Sequence, residues 1–421
     1  MNRRNFIVSS VSAAVSLTAL GANSSAKLRF GVMTDTHVTS NPKSFERAKK
    51  AIKVFEMYDC ALFCHLGDLA ERCDPKAHAM WREMIASTCC KSTMRGVYVY
   101  AAHDYYDYLG KRWNLTEEER LAGYESFRAN AGIPNGMYEE FDISGVPFVV
   151  VPQHVTKDEL ESMIVRAERK FSKGPVFVLN HVCPENTTFN SSNWGCWWTP
   201  KVLSKHPRVV NLSGHTHGTV ACERNIWQGG FTSIDAGCLS TWVSPLPGSQ
   251  SKPKESFDVL VCEVYDHRIV MRRIDVRDGG EIRPAWVVPL PFEPAAAPYS
   301  DSNRSLNAPK ISFKNGAELK VDAKTIPETV KLTFSAVANE DEVFSYRIEA
   351  KKRGVLLDWE TIAREDVYGQ FYLRQSERKG FLECFFKRSS LDKGRACRFV
   401  VTPVGFYGQT GNALATEIIL R

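Results

Sequence analysis

Between residues 28 and 217 the chain repeats one device: an apolar run of β type gives out, and a carboxylate or an imidazole follows at once. The runs over 28–33, 61–66, 97–100, 175–179 and 208–212 hand over to Asp35 and His37, to Gly67 and Asp68, to His103 and Asp104, to His181, and to His215 and His217. Helical patterns over 44–58 and 76–88 alternate with the first of these runs, a βαβ rhythm that predicts a sheet with helices on its face. In such sheets ligands collect outside the carboxyl ends of the strands. Singly, each hand-over has a bland explanation, with Asp68 as a turn carboxylate, His181 as a satisfied core histidine and Asp104 as a helix cap. Their coincidence at five strand ends predicts one shared site. The last of them, NLSGHTHG at 211–218, places His215 and His217 two apart, and extended backbone points residues i and i+2 to the same side, so both imidazoles can reach one cation. Gly214 is expected to let the backbone bend there, and Thr216 is given no role.

The remaining chain divides by texture. Thr116 and Thr156 read as helix N-caps, the second with Glu159 completing a capping box. A hairpin is expected from 137–143 and 147–151, a strand over 218–226, another over 231–236, and a second hairpin from 257–265 and 268–276 around Asp266 and His267. From 283 to 309 six prolines crowd the sequence; this stretch is expected to be a linker unable to hold a sheet ladder. Short alternating strands follow over 317–321, 329–336, 344–350, 369–373, 381–387, 396–401 and 413–420, which predicts a small β-sandwich. The expected organisation is an N-terminal segment 1–26, a first domain 27–282, a linker 283–309 and a sandwich 310–421.

Residues 1–26 combine Arg3 and Arg4 with an uncharged stretch and small residues near 24–26, the layout of an export signal too polar for a comfortable membrane span. The string from Arg3 to Ile7 resembles the twin-arginine signal, which implies an exported, periplasmic or extracellular protein. The formal charge of +6 is too mild to argue for a nucleic-acid partner. None of the twelve cysteines is spaced as CxxC; Cys384 and Cys397 are the pair expected to face one another across a hairpin.

The ordered blocks DTH at 35–37, GD at 67–68, AAHD at 101–104, NHVCP from Asn180 and GHTH at 214–217 resemble the calcineurin-like metallophosphoesterases over about 28–276. That resemblance implies a four-layer α/β/β/α fold and two divalent metal ions (Mn, Fe, Zn or similar). One would be held by Asp35, His37, Asp68 and His217, and the other by Asp68, His181 and His215, with Asp68 bridging. It further implies hydrolysis of a small-molecule phosphate ester by a metal-bound hydroxide, with His103 as general acid and Asp104 fixing its tautomer. One departure stands out: where the family has an asparagine whose amide oxygen reaches the second metal, this chain has Ala102, so that site is expected to be weaker unless water or a displaced side chain fills the gap. The segment CRFVVTPVGFYG at 397–408 resembles the closing strands of a fibronectin type III module.

Two further readings complete the expectations. The aromatic run NWGCWW at 193–198 is expected to plug its loop against the domain rather than wall the pocket. For function, a phosphodiesterase is slightly favoured over a monoesterase, since no strongly basic strings await a doubly charged monoester. The alternative is a catalytically impaired, exported binding protein whose sandwich contacts a cell-surface glycan or partner.

Overall fold

The protein is represented by a computed structural model that describes residues 25–89, 94–105, 115–241, 255–354, 358–391 and 396–420. The expected export signal lies almost wholly outside the described residues. Among those residues, no helix is long and apolar enough to cross a membrane.

The βαβ rhythm is realised as β1 (Leu28–Met33), α1 (Glu46–Met57), β2 (Leu62–His65), α2 (Pro75–Thr88) and β3 (Arg95–Tyr98), followed by the short α3 (Ala102–Tyr105) and by α4 (Glu117–Ala131). The chain then crosses to a second sheet through β4 (Glu139–Ile143), β5 (Val146–Val150), α5 (Lys157–Lys170), β6 (Val176–Val182), α6 (Ser191–Trp194), α7 (Thr199–Leu203), β7 (Val209–Gly214), β8 (Ile226–Gln228) and β9 (Thr232–Asp235). It returns to the first sheet with β10 (Asp258–Val264), β11 (Arg268–Asp275) and β12 (Gly280–Pro289). The two six-stranded sheets have the orders β12-β11-β10-β1-β2-β3 and β4-β5-β6-β7-β9-β8. In each, the strands that carry the hand-over residues pair in parallel, so their carboxyl ends share an edge.

The sheets face one another across a core in which Phe30 of one meets Phe148 and Phe177 of the other at 5.2 and 5.0 Å between ring centroids. Both faces of the central strands are therefore covered, which is why β5 and the start of β6 read as continuous apolar runs rather than alternations. Helices α1, α2 and α4 close the outer face of the first sheet and α5 and α7 that of the second. The result is the four-layer α/β/β/α sandwich. Both expected N-caps hold: Thr116 and Thr156 each accept from the backbone N–H three residues on, and Glu119 and Glu159 each answer back in a full capping box.

A smaller all-β unit follows α8 (Asp301–Leu306). Its strands β13 (Leu319–Asp322), β14 (Thr329–Ser335), β15 (Val343–Arg353), β16 (Trp359–Tyr368), β17 (Phe381–Lys387), β18 (Ala396–Gly405) and β19 (Leu414–Ile419) form two antiparallel sheets, β13-β14-β17 and β16-β15-β18-β19. Period-2 burial on β14 and β18 points Val330, Leu332, Phe334, Phe399 and Val401 into the space between them. This unit is fastened to the first. Phe344, Tyr368, Phe371 and Phe406 pack against Phe189, Ala221 and Cys222, and Arg374 pairs with Asp275 at 2.6 Å.

Four expectations need correction here. The first part of the proline-rich stretch does hold a ladder, because β12, which runs to Pro289, pairs with β11. It is an edge strand, where an absent N–H costs nothing, and Pro284 sits where the register slips between Met271 and Arg273. The strand expected over 218–226 is mostly loop and a 3-10 turn ending in the short β8. In the sandwich, 369–373 turns, and the strand of that region is β16 just before it; its charged, half-exposed alternation hid it. Finally, Cys384 and Cys397 lie on β17 and β18, which belong to different sheets and form no hairpin. Among the described residues no disulfide forms.

Candidate metal centre

The loops that leave β1 and β2 run on side by side after the strands end. Asp35 N donates to Gly67 O at 3.1 Å, His37 N to Asp68 O at 3.2 Å and Val38 N to Leu69 O at 2.9 Å, so DTH and GD are zipped into one ledge. From the facing sheet, the end of β7 reaches the same ledge: His215 N donates to Asp35 Oδ2 at 3.0 Å, and Thr34 Oγ1 donates to the same oxygen at 2.7 Å. Asp35, His37, Asp68, His215 and His217 all have left-handed backbone, with φ between 42° and 71°. Non-glycine residues adopt that region at a cost, and its concentration at one place marks a site where the surrounding structure holds the backbone against its preference.

The ring nitrogens define what the site can accept. His37 Nδ1 faces the Glu71 carboxylate at 2.9 Å and His217 Nδ1 faces Thr241 O at 2.8 Å, so each must donate there. Their Nε2 atoms then meet at 3.1 Å, with Asp35 Oδ1 3.2 Å from His217 Nε2 and 3.8 Å from His37 Nε2. Asp35 Oδ1 is buried and accepts no hydrogen bond. Lone pairs converging on one point from two imidazoles and a carboxylate require a cation between them. The same holds next door. His181 Nδ1 donates to Leu66 O at 3.0 Å, and its Nε2 lies 3.2 Å from Asp68 Oδ2 and 3.2 Å from His215 Nδ1. Asp35, His37 and His217 thus make one ligand group and Asp68, His181 and His215 another. Asp68 Oδ2 is also 3.7 Å from His37 Nε2, which joins the two. The donor set, carboxylate and imidazole with the rings of His37, His181 and His217 oriented from behind, fits divalent transition metals.

The electrostatics agree. Burial alone would push His37 down, but the side chains of Asp35 and Glu71 and the charge of Asp68 raise it to about 10. Burial likewise opposes His181, which Asp68 and Asp35 raise to about 9. Asp35 and Asp68 are both held well below the usual carboxylate range: burial would raise them, and the neighbouring histidines overcome it. His215 goes the other way, lowered to about 4 by burial and by His181. In a site without metal, protons take the place that a cation would fill.

All eight residues expected at the site lie at this edge, yet two roles differ. Asp104 does not meet His103. Its Oδ1 accepts from Leu69 N at 2.9 Å and Oδ2 from Ala101 N at 3.0 Å, so the carboxylate clamps two ligand loops together. The His103 tautomer is set instead by Glu71 O, 2.7 Å from its Nδ1, while His103 N donates to Asp68 Oδ1 at 3.1 Å. Glu71 therefore serves both His37 and His103, and only its position three residues after Asp68 hinted at it. Gly214 is needed for closeness rather than bending, because a Cβ there would fall 2.2 Å from Thr34 Oγ1 and 2.4 Å from Asp35 Oδ2. Thr216 does have a role: its buried hydroxyl donates to Asp235 Oδ2 at 2.5 Å and pins the turn between the two histidines.

The tryptophan run divides. Trp198 packs into the helical layer as expected. Trp194 and Trp197 do not: they are 40% and 67% exposed, and the Trp194 ring lies 5.7 Å from that of His215. Their loop is stiff, with Cys196 N donating to Cys183 O at 2.8 Å and Glu185 N to Cys196 O at 3.2 Å. Trp242, Tyr106 and Asp107 lie outside the described residues.

The family model for calcineurin-like phosphoesterases matches residues 28–219. No curated protein matches the chain. Among solved structures, a dimetal phosphatase from Danio rerio is similar at 11% identity and a TM-score of 0.44, covering 64% of this chain and 100% of its own. A purple acid phosphatase from yellow lupin seeds is similar at 12% identity and a TM-score of 0.44, over 62% of this chain and 53% of its own.

Proposed function

We propose, from the match of residues 28–219 to the calcineurin-like phosphoesterase family model, that the protein is a hydrolase of phosphate esters that cleaves phosphodiesters at a dinuclear divalent-metal site. The observation that carries this is the Asp68 carboxylate, which stands 3.2 Å from His181 Nε2 and 3.7 Å from His37 Nε2 and so belongs to both ligand groups. Asp35, His37, Asp68 and His217 would hold one ion, and Asp68, His181 and His215 the other. Bound there, the ions would lower the pKa of a water and neutralise charge on the phosphoryl oxygens. The chain's own residues do the rest. Glu71 and Thr241 hold the imidazoles of His37 and His217 in one tautomer. His103, with its Nδ1–H held by Glu71 O, would as the imidazolium give its Nε2 proton to the leaving oxygen and return to the neutral Nδ1–H tautomer.

Trp194 supports the diester over the monoester, since an exposed aromatic face 5.7 Å from the His215 ring suits a leaving group with a large planar or apolar part. The twin-arginine-like start supports export to the periplasm or beyond, and the three-plus-four sheet division supports a fibronectin type III-like C-terminal unit. The test is metal content measured on purified protein, with turnover of chromogenic monoester and diester substrates by wild type and His103→Ala. Diester turnover that falls at least about a hundredfold in the variant, with metal content unchanged, is expected. Wild type indistinguishable from the variant on every substrate would instead favour a binding protein, the reading that Ala102 supports.

A further inference from the structure

Ala102 leaves the second ligand group one amide oxygen short, and the structure places another amide beside it. Gln153 follows β5, whose neighbour β6 carries His181, and the two strands are parallel, so Gln153 stands on the same carboxyl edge as the ligands. Its backbone N donates to Tyr100 O at 3.0 Å, which draws it across to the other sheet, and its side-chain Oε1 accepts from Ala102 N at 2.7 Å. An atom that faces a backbone N–H must be the amide oxygen, so the orientation of this side chain is fixed by its partner. The next N–H along, that of His103, donates to Asp68 Oδ1 at 3.1 Å. Two consecutive backbone donors thus place Gln153 Oε1 alongside the Asp68 carboxylate. The same segment packs on His181: a Cβ at Gly67 would meet Ala101 Cβ at 2.5 Å and His181 Nδ1 at 2.9 Å.

We infer that Gln153 supplies, from the loop that follows β5, the amide oxygen that position 102 lacks, as a fourth protein ligand to the ion held by Asp68, His181 and His215. A carbonyl oxygen has two lone pairs, so accepting from Ala102 N leaves one for the cation. The side chain is longer than asparagine by one methylene and comes from the opposite sheet. This rests on the dinuclear reading above, and the experiment separates the two.

The full chain is stripped with a chelator and titrated with Mn²⁺ or Co²⁺, reading stoichiometry after desalting and the visible spectrum of the Co²⁺ form. Wild type is expected to bind two equivalents. Gln153→Ala and the near-isosteric Gln153→Met should keep the first and weaken the second by about ten- to a hundredfold. Gln153→Glu, which retains an oxygen at the same reach, should keep both, and Ala102→Asn should restore the second site in the Gln153→Met background. Two tightly bound equivalents in Gln153→Met would overturn the assignment even if Gln153→Ala fails to fold, and so would a wild type that binds only one. A wild type that binds none overturns both this assignment and the dinuclear reading.

Discussion

Replacing Gly214 by alanine puts a single methyl group where two ligand loops touch. The added carbon would lie 2.2 Å from Thr34 Oγ1, 2.4 Å from Asp35 Oδ2 and 2.8 Å from Thr34 Cγ2, all inside contact distance. Asp35 is fully buried and Thr34 nearly so, so neither can swing into solvent. Overpacking of this kind costs about 1–3 kcal/mol, and displacing the hydroxyl that donates to Asp35 removes a charge-assisted bond for roughly 1–2 kcal/mol more. The expected loss is therefore about 2–5 kcal/mol, with a fall in Tm of roughly 5 °C or more. Because Asp35 is the residue forced to move, metal content should fall with stability. The control is Gly145→Ala, at the β4–β5 turn, where φ is +73° and nothing lies within 4 Å of the added carbon. That change carries only left-handed backbone strain, about 1–2 kcal/mol, and should leave metal binding intact. Thermal melts and metal analysis of the two variants decide the matter. A Gly214→Ala protein with wild-type Tm and full metal content would refute the close-approach argument.

Three further outcomes are expected. Stripped of metal, the protein should lose stability as pH rises from about 6.5 towards 9–10. His37 and His181 are raised to about 10 and about 9 from 6.5, so their contribution is complete below 6.5 and disappears through the folded values. Metal-loaded protein should lack that alkaline loss, and parallel denaturation curves for the two forms across this range would contradict it. Trp194→Ala should raise KM for a diester with an aromatic leaving group by about tenfold, the scale of one stacking contact of 1–3 kcal/mol, and leave a methyl ester nearly unaffected; equal effects on both would sink the role given to its exposed face. Asp104→Asn should lower Tm, because an amide group cannot accept on both sides from Leu69 N and Ala101 N, yet it should not move the alkaline limb of the pH–rate profile. A shifted limb would mean that Asp104 acts on His103 after all.

The threonine caps, the paired β-runs and the ligand types were legible because they depend on near neighbours: Thr156 and Glu159 are three residues apart. The strand-periodicity reading of His215 and His217 failed, because both lie beyond the end of β7 with left-handed backbone and face different ligand groups. Strand β12 was misread for the complementary reason. Whether a proline is tolerated depends on whether its missing N–H faces a partner, and only the sheet order shows that β12 is at an edge. Trp194 and Trp198 are four residues apart and of one kind, yet one is half-buried against a helical layer and the other is exposed beside His215.

Sequence by itself determined that acids and imidazoles would gather at the carboxyl ends of parallel strands, since strand direction and the βαβ rhythm put those ends on one edge. Only the tertiary structure decided which atoms meet. Asp104 turned to the backbone of Leu69 and Ala101, Glu71 took over the tautomers of His37 and His103, and Gln153 arrived beside Ala102 from the other sheet. The physical reason is range: periodicity fixes where a side chain leaves the backbone, whereas its partner is chosen by whichever distant segment brings a complementary group within about 3 Å.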